Sequence, residues 1–373
     1  MSSQQSVRSP GDFIREEIEA RGWTQADLAQ ILGRPLPTVN RILQGKHAIL
    51  PEMAIALGVA FGNGAELWMQ RESAYRLSLA SVPNDDAVRR RSRMFQLAPV
   101  KELQRRRWIS DTDDPAELER ELCQFLGIAS IDDDPTIVVA TRRSAGGDEL
   151  TPQQTAWCCR ARQLAGALKV APFEPSRLDK CADDIRRLAA YPQEARKLAT
   201  TFSNYGIRFV VVEPLQSSKI DGAAMWLSAS EPVIAVSIRF DRIDAFWHTV
   251  AHEFMHIKFG DAVSIDTDLA GEDQVPSAAK SEIERRADQF ASELLVPQAA
   301  LDSFVTRVSP LYSKERIIQF AHRSRIHPGI IVGQLQYRGE VGYRANREML
   351  VKVRDIVTTT AVTDGWGHSV EGI

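Results

Sequence analysis

The sequence is poor in the features that mark secreted and membrane-spanning proteins. Four cysteines occur in 373 residues and none forms a CxxC pair, so no disulfide framework is expected. No apolar run reaches about 18 residues, and the N-terminus has no apolar signal core, so neither a membrane span nor export is expected. The net charge of −3 indicates no partner by itself. We therefore expect a cytoplasmic protein that does not associate with membranes.

What the chain does have is length and apolar content for two or three domains. Its hydrophobic fraction of 44 % excludes wholesale disorder. Patterning predicts a mainly α-helical protein with a small β-sheet, in the α+β class. We expect an N-terminal five-helix domain over 10–80, a helical middle over 81–200, a mixed α/β domain over 201–345 and a tail over 346–373.

The N-terminal helices are predicted from apolar residues that recur three and four positions apart. Three periodic stretches are each followed by a glycine, at Gly22, Gly33 and Gly45, where a helix C-terminus favours a left-handed residue. Thr24 is placed to cap the second helix. A fourth helix is expected after Pro51, and a fifth over Ala65–Leu77.

The turn between the second and third of these helices carries positive charge. No acidic residue occurs between Asp27 and Glu52, which favours contact with phosphates. Side chains of the kinds that read base edges or bind phosphates cluster there. The candidate DNA-binding residues are Gln25, Arg34, Thr38, Asn40, Arg41, Gln44 and Lys46.

The text from Pro10 to Leu77, with its TQADLAQILGRPLPTVNRILQG core, resembles the Xre-type helix-turn-helix, and within it the HigA-like antitoxins. The resemblance implies operator binding, its own promoter being the natural target, and action as a homodimer on paired half-sites. Pro35 and Pro37 stand where a serine-rich helix start is usual, which removes an N-cap and a phosphate contact. The alternative is a helical bundle that contacts only protein.

A basic run follows. Eight Arg or Lys residues lie between Arg89 and Arg107, and an acidic block over 111–121 comes next. The run could add nonspecific DNA contact, or it could form linker helices that pair with the acidic block.

Strand chemistry begins at residue 207. Three β-branched or small apolar segments, 207–212, 223–227 and 233–238, predict strands. Two helices are expected next, at about 242–259 and 278–296. The polar, glycine-containing stretch Thr358–Ile373 is expected to be frayed.

The most specific motif is His252-Glu253-Phe254-Met255-His256. Two histidines four residues apart share one helix face, so both imidazoles can hold one Zn²⁺ ion with Glu253 beside it as general base. The opposite side of this helix should be buried through an apolar stripe. The stripe consists of Phe246, Trp247, Val250, Phe254 and Met255.

A catalytic zinc needs a third protein ligand. Glu284 suits that role, and Asp288, one turn later, suits an acceptor for a histidine N–H group. Glu282 and Asp261 stay open as substitute ligands, and a merely exposed charged helix is the alternative. The apolar stripe predicted for this helix is Ile283, Ala287, Phe290, Ala291 and Leu294.

The stretch from GIRFVVVEPL through HTVAHEFMHIKFGD to EIERRADQFASELLVP resembles the ImmA/IrrE family of metallopeptidase domains. The resemblance implies a gluzincin-like Zn²⁺ site in which His252, His256 and Glu284 are ligands and Glu253 is the general base. It also implies a protein substrate, often a helix-turn-helix repressor. The group that stabilises the oxyanion is open among His248, Tyr312, His322 and His327. Cys181 capping the metal is a further alternative.

The function expected is therefore an antitoxin-type transcriptional regulator with a zinc peptidase domain. Its substrate would be a repressor, an antitoxin, or this chain's own Ser81–Phe95 linker. A non-hydrolytic alternative is a sensor whose zinc domain only binds a toxin or ligand. A third is a plain metalloprotease whose N-terminal helices recognise protein.

Overall fold

The computed structural model describes residues 7–80, 85–135, 150–261, 264–267, 269 and 281–364. The chain divides into two compact units, 1–88 and 89–373, and each is described by itself. Within the described ranges no helix combines the length and apolar character needed to cross a bilayer. The expected mainly helical fold with one small sheet is confirmed. The domain boundaries at 80, 200 and 345 stay predictions.

Five helices form over residues 7–80, as the periodicity predicts. They are α1 (Pro10–Ala20), α2 (Gln25–Ile31), α3 (Leu36–Leu43), α4 (Pro51–Phe61) and α5 (Ala65–Leu79). Thr24 caps α2 by accepting from the Asp27 backbone N–H, and Asp27 returns the bond in a capping box. Gly33 has φ +61°, so the turn from α2 to α3 uses a conformation that only glycine adopts without strain. α3 begins after Pro35 with no side-chain cap, as its two prolines indicate.

The core of this unit holds α2 and α3 in place. Leu28 of α2 and Val39 and Ile42 of α3 are buried together with Trp68 of α5. The Trp68 indole N–H donates to Asn63 Oδ1 at 2.7 Å, which satisfies its one polar atom. The core fixes one face of α3 and leaves its opposite face toward solvent.

The remaining described residues form further helices and five strands. The helices are α6 (Asp85–Leu97), α7 (Val100–Arg105), α8 (Pro115–Leu126), α9 (Pro152–Gly166), α10 (Leu178–Leu188), α11 (Leu198–Asn204), α12 (Ile243–Phe259), α13 (Glu282–Leu295), α14 (Gln298–Val308), α15 (Lys314–Ser324), α16 (Pro328–Tyr337) and α17 (Arg354–Val357). The strands are β1 (Arg208–Val211), β2 (Ile220–Trp226), β3 (Pro232–Val236), β4 (Ser264–Thr267) and β5 (Val362–Thr363).

The strands make one mixed sheet in the order β4-β2-β3-β1-β5. β1 pairs in parallel with β3 and β5, whereas β2 pairs antiparallel with β3 and β4. The first three strands were predicted, and the two edge strands were not. The expectation that the chain frays from Thr358 is wrong for 358–364, because β5 pairs with β1 there. Residues 365–373 lie outside the described ones.

Helices cover both faces of this sheet. Along β1 the side chains alternate, with Phe209 and Val211 in one core and Val210 in the other. The second core is completed by the helical middle, and the Trp157 indole N–H of α9 donates to the Val212 carbonyl at 3.1 Å. This double burial explains the nearly continuous apolar runs of the strands.

The basic run takes part in this packing. Arg90 Nε donates to Glu119 Oε2 at 3.0 Å, Arg93 Nε to the Ile131 carbonyl at 3.0 Å, and Arg106 Nη1 to the Glu213 carbonyl at 3.0 Å. These bonds favour the interpretation in which the run pairs within its own unit, including with the acidic block.

α12, which carries the two-histidine motif, lies at the centre of the second unit. It packs on β2 and β3 and against α13 and α16. The predicted apolar stripe is buried, but so are the polar positions on the other side, including His252, Glu253 and His256. The helix therefore has no broad solvent face, and its polar residues face protein.

Candidate functional site

The two histidines stand one above the other inside the protein. His252 and His256 are fully buried, with ring centroids 4.9 Å apart. α12 ends at Phe259, and the next residue, Gly260, has a φ of +71°, which ends the helix one turn after His256. β4 and α13 supply acidic partners of the two histidines.

Each histidine points its Nε2 atom toward the same two carboxylates. His252 Nε2 lies 3.1 Å from Glu284 Oε2 and 3.5 Å from Asp266 Oδ1. His256 Nε2 lies 3.8 Å from Asp266 Oδ2 and 3.8 Å from Glu284 Oε1. A tetrahedral zinc with bonds of about 2.0–2.1 Å separates its ligand atoms by about 3.3–3.4 Å. The donor set therefore fits a zinc ion, and the predicted trio of His252, His256 and Glu284 is brought together.

The other ring nitrogens face carboxylates as well. His252 Nδ1 lies 3.0 Å from Asp288 Oδ1, and His256 Nδ1 lies 2.9 Å from Asp261 Oδ2. The acceptor at His256 Nδ1 favours the tautomer that leaves its Nε2 atom for a metal, and Asp288 is close enough to His252 Nδ1 to act in the same way. Asp288 is thus where its predicted role requires. Asp261 orients His256 and is not placed as a substitute third ligand, and Glu282 is exposed to solvent.

The electrostatics of the cluster favour a positive charge at its centre. Burial by itself would lower the pKa of His252, but Asp266, Asp288 and Glu284 outweigh it and raise that pKa well above the ordinary value. Burial opposes ionisation of Asp266, yet the adjacent His252 holds the pKa of that carboxyl below its usual range. A divalent cation between these groups would supply the same positive charge.

Glu253 is the buried group that the motif predicts as general base. Both of its carboxylate oxygens are buried, and neither has a hydrogen-bond partner among the described residues. Burial, reinforced by the nearby Asp266 carboxylate, raises the pKa of Glu253 well above its usual range. A buried carboxyl without partners is costly, and such sites are typical of catalytic centres.

Two residues of this centre were missed at the sequence level. A Cβ on Gly222 of β2 would lie 2.4 Å from Glu253 Oε1, so glycine is required for the strand to pass the buried glutamate. Asp266 lies on β4, and the short sequence SIDT of this strand contains no motif that would predict a metal ligand. The predicted stripe of α13 is wrong at Ile283, which is 43 % exposed, while Ala287 and Ala291 are buried as expected.

The open alternatives are placed as follows. His248 lies beside His252, with ring centroids 6.1 Å apart, and its Nε2 is 3.6 Å from Asp288 Oδ1. The Tyr312 hydroxyl hydrogen-bonds Glu340, and His327 accepts from the Gly329 N–H at the start of α16. Burial raises the pKa of the Cys181 thiol to about 12, and this residue belongs to a hydrophobic core. Cys181 is therefore not poised as a thiolate ligand.

The candidate DNA-binding residues lie on and around α3. Val39, Ile42 and Leu43 face the core, so Arg41 and Gln44 turn outward. Thr38 and Asn40 are partly buried, and the others are exposed. The exposed set is Gln25 at the first position of α2, Arg34 in the turn, Arg41, Gln44 and Lys46.

Comparison with known proteins agrees with this division. A helix-turn-helix family model, HTH_3, matches residues 14–68, and the IrrE N-terminal-like domain model, Peptidase_M78, matches residues 204–325. The first range contains all the candidate DNA-binding residues. The second contains both histidines and their carboxylate partners, and Peptidase_M78 is a zinc-type metallopeptidase family.

The individual proteins that are similar to this chain match about a fifth of its length. An uncharacterized HTH-type transcriptional regulator, YddM of Escherichia coli (strain K12), is 33 % identical over 82 residues, which cover 22 % of this chain and 87 % of YddM. PA4674 of Pseudomonas aeruginosa, solved in complex with its operator DNA (18bp and 28bp), is 36 % and 34 % identical. These structures cover 21 % of this chain and 87 % and 89 % of PA4674, with TM-scores of 0.20 and 0.21. The chain thus belongs to the helix-turn-helix transcriptional regulators and joins to that domain an IrrE N-terminal-like domain of the Peptidase_M78 type.

Proposed function

We propose that this chain is an antitoxin-type regulator that binds operator DNA, its own promoter included, and carries a zinc-dependent peptidase. The observation that carries the peptidase half is Glu253, a buried and unpartnered carboxylate beside two histidines whose Nε2 atoms converge on Glu284. A regulator of this kind works where its operator is, so the cytoplasmic location is part of the proposal.

The DNA-binding half rests on α3 and its flanks. Arg34, Arg41 and Lys46 are exposed, and no ion pair to any of them occurs among the described residues of the first unit. Their charge is thus free to meet phosphates, while Arg41 and Gln44 project from the helix that enters the major groove in this motif. Similarity to PA4674, which was solved with its operator, supports the assignment.

Arg41→Ala should weaken operator binding by about 1–3 kcal/mol and relax its base selectivity if Arg41 contacts a base edge. The matched control is Arg8→Ala: Arg8 is exposed, precedes α1 and pairs with the exposed Glu16. Footprinting and fluorescence anisotropy on the chain's own promoter provide the measurement. Equal affinities of parent and Arg41→Ala at several salt concentrations would contradict this placement.

Homodimerisation is supported by apolar side chains on α4. Ile55 and Val59, one helical turn apart, are 59 % and 81 % exposed, which is unusual for a pair of β-branched residues on one helix face. A second copy of this chain is the proposed occupant, because dimeric helix-turn-helix domains read two half-sites.

Val59→Glu should shift the chain toward monomer, because it places a charge at the centre of the proposed apolar contact. Analytical ultracentrifugation measures the change, and we expect the dissociation constant to rise by about tenfold or more. Glu52→Gln, at the exposed start of the same helix, is the control. A parent chain that is monomeric at all concentrations, free and on its operator, would overturn the dimer.

In the peptidase half, a bound zinc ion would supply a Lewis acid that polarises a peptide carbonyl and lowers the pKa of water. His252, His256 and Glu284 would hold the ion, and Asp288 and Asp261 would orient the two rings. Glu253 would accept a proton from the water that attacks the peptide carbonyl and would return it to the leaving amine. Among the four residues that the sequence left open for charge stabilisation, we propose His248, whose ring centroid lies 6.1 Å from that of His252.

The proposed substrate is a repressor or antitoxin protein. Cleavage of this chain's own Ser81–Phe95 segment is a special case. Residues 85–95 belong to α6, and 81–84 lie outside the described residues. The second candidate function, a sensor without hydrolysis, would use the same donor set only to bind metal.

The test of the proposed function combines metal analysis with incubation against the product of the neighbouring gene. Intact-mass spectrometry scores each new fragment with zinc, with a chelator and with zinc restored. Zinc-dependent fragments support the peptidase. Stoichiometric zinc binding without cleavage of this chain or of the neighbouring gene's product supports the sensor. Footprinting on the promoter tests the regulator half separately, and failure to protect any sequence would favour a plain metalloprotease.

A further inference from the structure

Asp266 is the member of the metal cluster that the proposed function does not use. It is carried by β4, the edge strand, which pairs antiparallel with β2. Its side chain points inward, since Asp266 is 7 % exposed and both of its oxygens approach histidine Nε2 atoms. A buried carboxylate is costly unless paired, so the strand is held where this charge meets its partners.

The spacing of Asp266 matches that of a ligand. Its oxygens lie 3.5 and 3.8 Å from the two Nε2 atoms, within the same range as those of Glu284, at 3.1 and 3.8 Å. One donor atom each from His252, His256, Asp266 and Glu284 can be chosen so that all four lie within 4.8 Å of one another. The set therefore offers four protein donors to one common centre.

Neighbouring contacts fix Asp266 in this position. The Ser264 hydroxyl lies 2.9 Å from Asp266 Oδ2 and 3.3 Å from Glu284 Oε1, so it links the two carboxylates. Asp266 pairs with Gly222 across the strands, the residue that passes Glu253. Just beyond β4, the Leu269 N–H donates to Asp221 Oδ2 at 2.7 Å, which ties the exit of the strand to β2.

We infer that Asp266 is a fourth protein ligand and that β4 is an internal latch that keeps the peptidase closed. Structural zinc sites use four protein ligands, whereas catalytic sites use three and keep one position for solvent or substrate. β4 also covers the edge of β2, where an extended peptide substrate would add as a strand. One segment thus blocks both the fourth coordination position and the substrate's pairing edge. This inference rests on the proposed zinc centre.

The latch predicts that the peptidase is latent until β4 leaves β2. The molecule that opens the latch is an extended peptide that pairs with β2 in place of β4. This peptide would be the substrate or a segment of an activating protein. The open state needs no change elsewhere in the sheet, since β2 keeps its other neighbour, β3.

The test uses the full chain loaded with Co²⁺, whose visible spectrum reports coordination, and acetohydroxamate, which binds open metal positions. In the parent the spectrum should be that of a four-coordinate site and should not change on addition of acetohydroxamate. Asp266→Ala should bind Co²⁺ more weakly than the parent, by about 100-fold or more because a ligand is removed, and should respond to acetohydroxamate. Thr267→Val, on the same strand, should behave as the parent.

Asp266→Asn, which keeps the size of the side chain, serves if Asp266→Ala does not fold, and it should show the same response to acetohydroxamate. A parent whose spectrum responds as strongly as either variant would overturn the latch while leaving the metal centre intact. A parent that binds no Co²⁺ would overturn the metal centre of the proposed function, and the latch with it. The two failures are therefore distinguishable.

Discussion

Glu253→Gln should lower the rate of zinc-dependent peptide cleavage by about 10²–10⁴-fold while leaving the zinc content unchanged. The amide matches the carboxylate in size, so the packing against Gly222 is kept, but it cannot accept a proton at neutral pH. Glu253 is not placed as a ligand, since the converging Nε2 atoms face Glu284 and Asp266. Metal binding and proton transfer are thereby separated in one substitution.

Cleavage with and without Glu253→Gln should be compared in the parent chain and again in a chain that also carries Asp266→Ala. The second comparison ensures that a closed metal site does not conceal the loss of cleavage. Glu282→Gln is the matched control, because Glu282 is an exposed glutamate on α13, two residues from Glu284. Fragments quantified by mass spectrometry give the rates. Identical fragment yields from the Glu253→Gln and control chains would exclude Glu253 as the base and would favour the sensor hypothesis.

His256→Ala should reduce zinc affinity by at least about 100-fold, since removal of a ligand exceeds the 10–100-fold cost of losing a partner of a ligand. Operator binding should be unchanged, because the helix-turn-helix has a core of its own in the other unit. Competition with a chromophoric chelator measures the affinity, and anisotropy on the promoter measures DNA binding.

His322→Ala is the control for this variant, because His322 is an exposed histidine of α15 with no place in the metal cluster. Thermal unfolding of each chain shows whether the metal also supports the fold. Loss of operator binding together with loss of zinc would show that the ion maintains the whole protein, which would make it structural instead of catalytic.

Local signals predicted most of the elements that position the site. The cap of α2 and the glycines that follow α1–α3 depend on residues a few positions apart, so Thr24 and Gly33 could be interpreted directly. The same holds for His252 and His256, whose spacing of four is fixed by the helix repeat. Glu284 and Asp288 needed in addition the resemblance to a family, because 32 residues separate Glu284 from His252.

The remainder depends on pairings that are distant in sequence. β5 has only two residues and is a strand because it pairs with β1, about 150 positions earlier. β4 is likewise defined by its pairing with β2. Gly222 matters because the side chain of Glu253 lies against it, which no periodicity of β2 reveals. Ile283 was misplaced because a regular stripe assumes that the helix is covered along its whole length, and α13 is not covered at its first turn.

The double covering of the sheet has a consequence for how this protein can be divided or recombined. A fragment limited to the 204–325 segment would keep its histidines and acids but would lose α6–α9, which cover Val210, Ala223 and Met225. It would also lose β5 and the buried Val353 and Val357. Its apolar strands would then meet water, and such a fragment should aggregate instead of folding. The segment that can be transferred as a folding unit is therefore the whole second unit, which begins near residue 89. A gene fusion that transfers the peptidase must include the helices that cover its sheet.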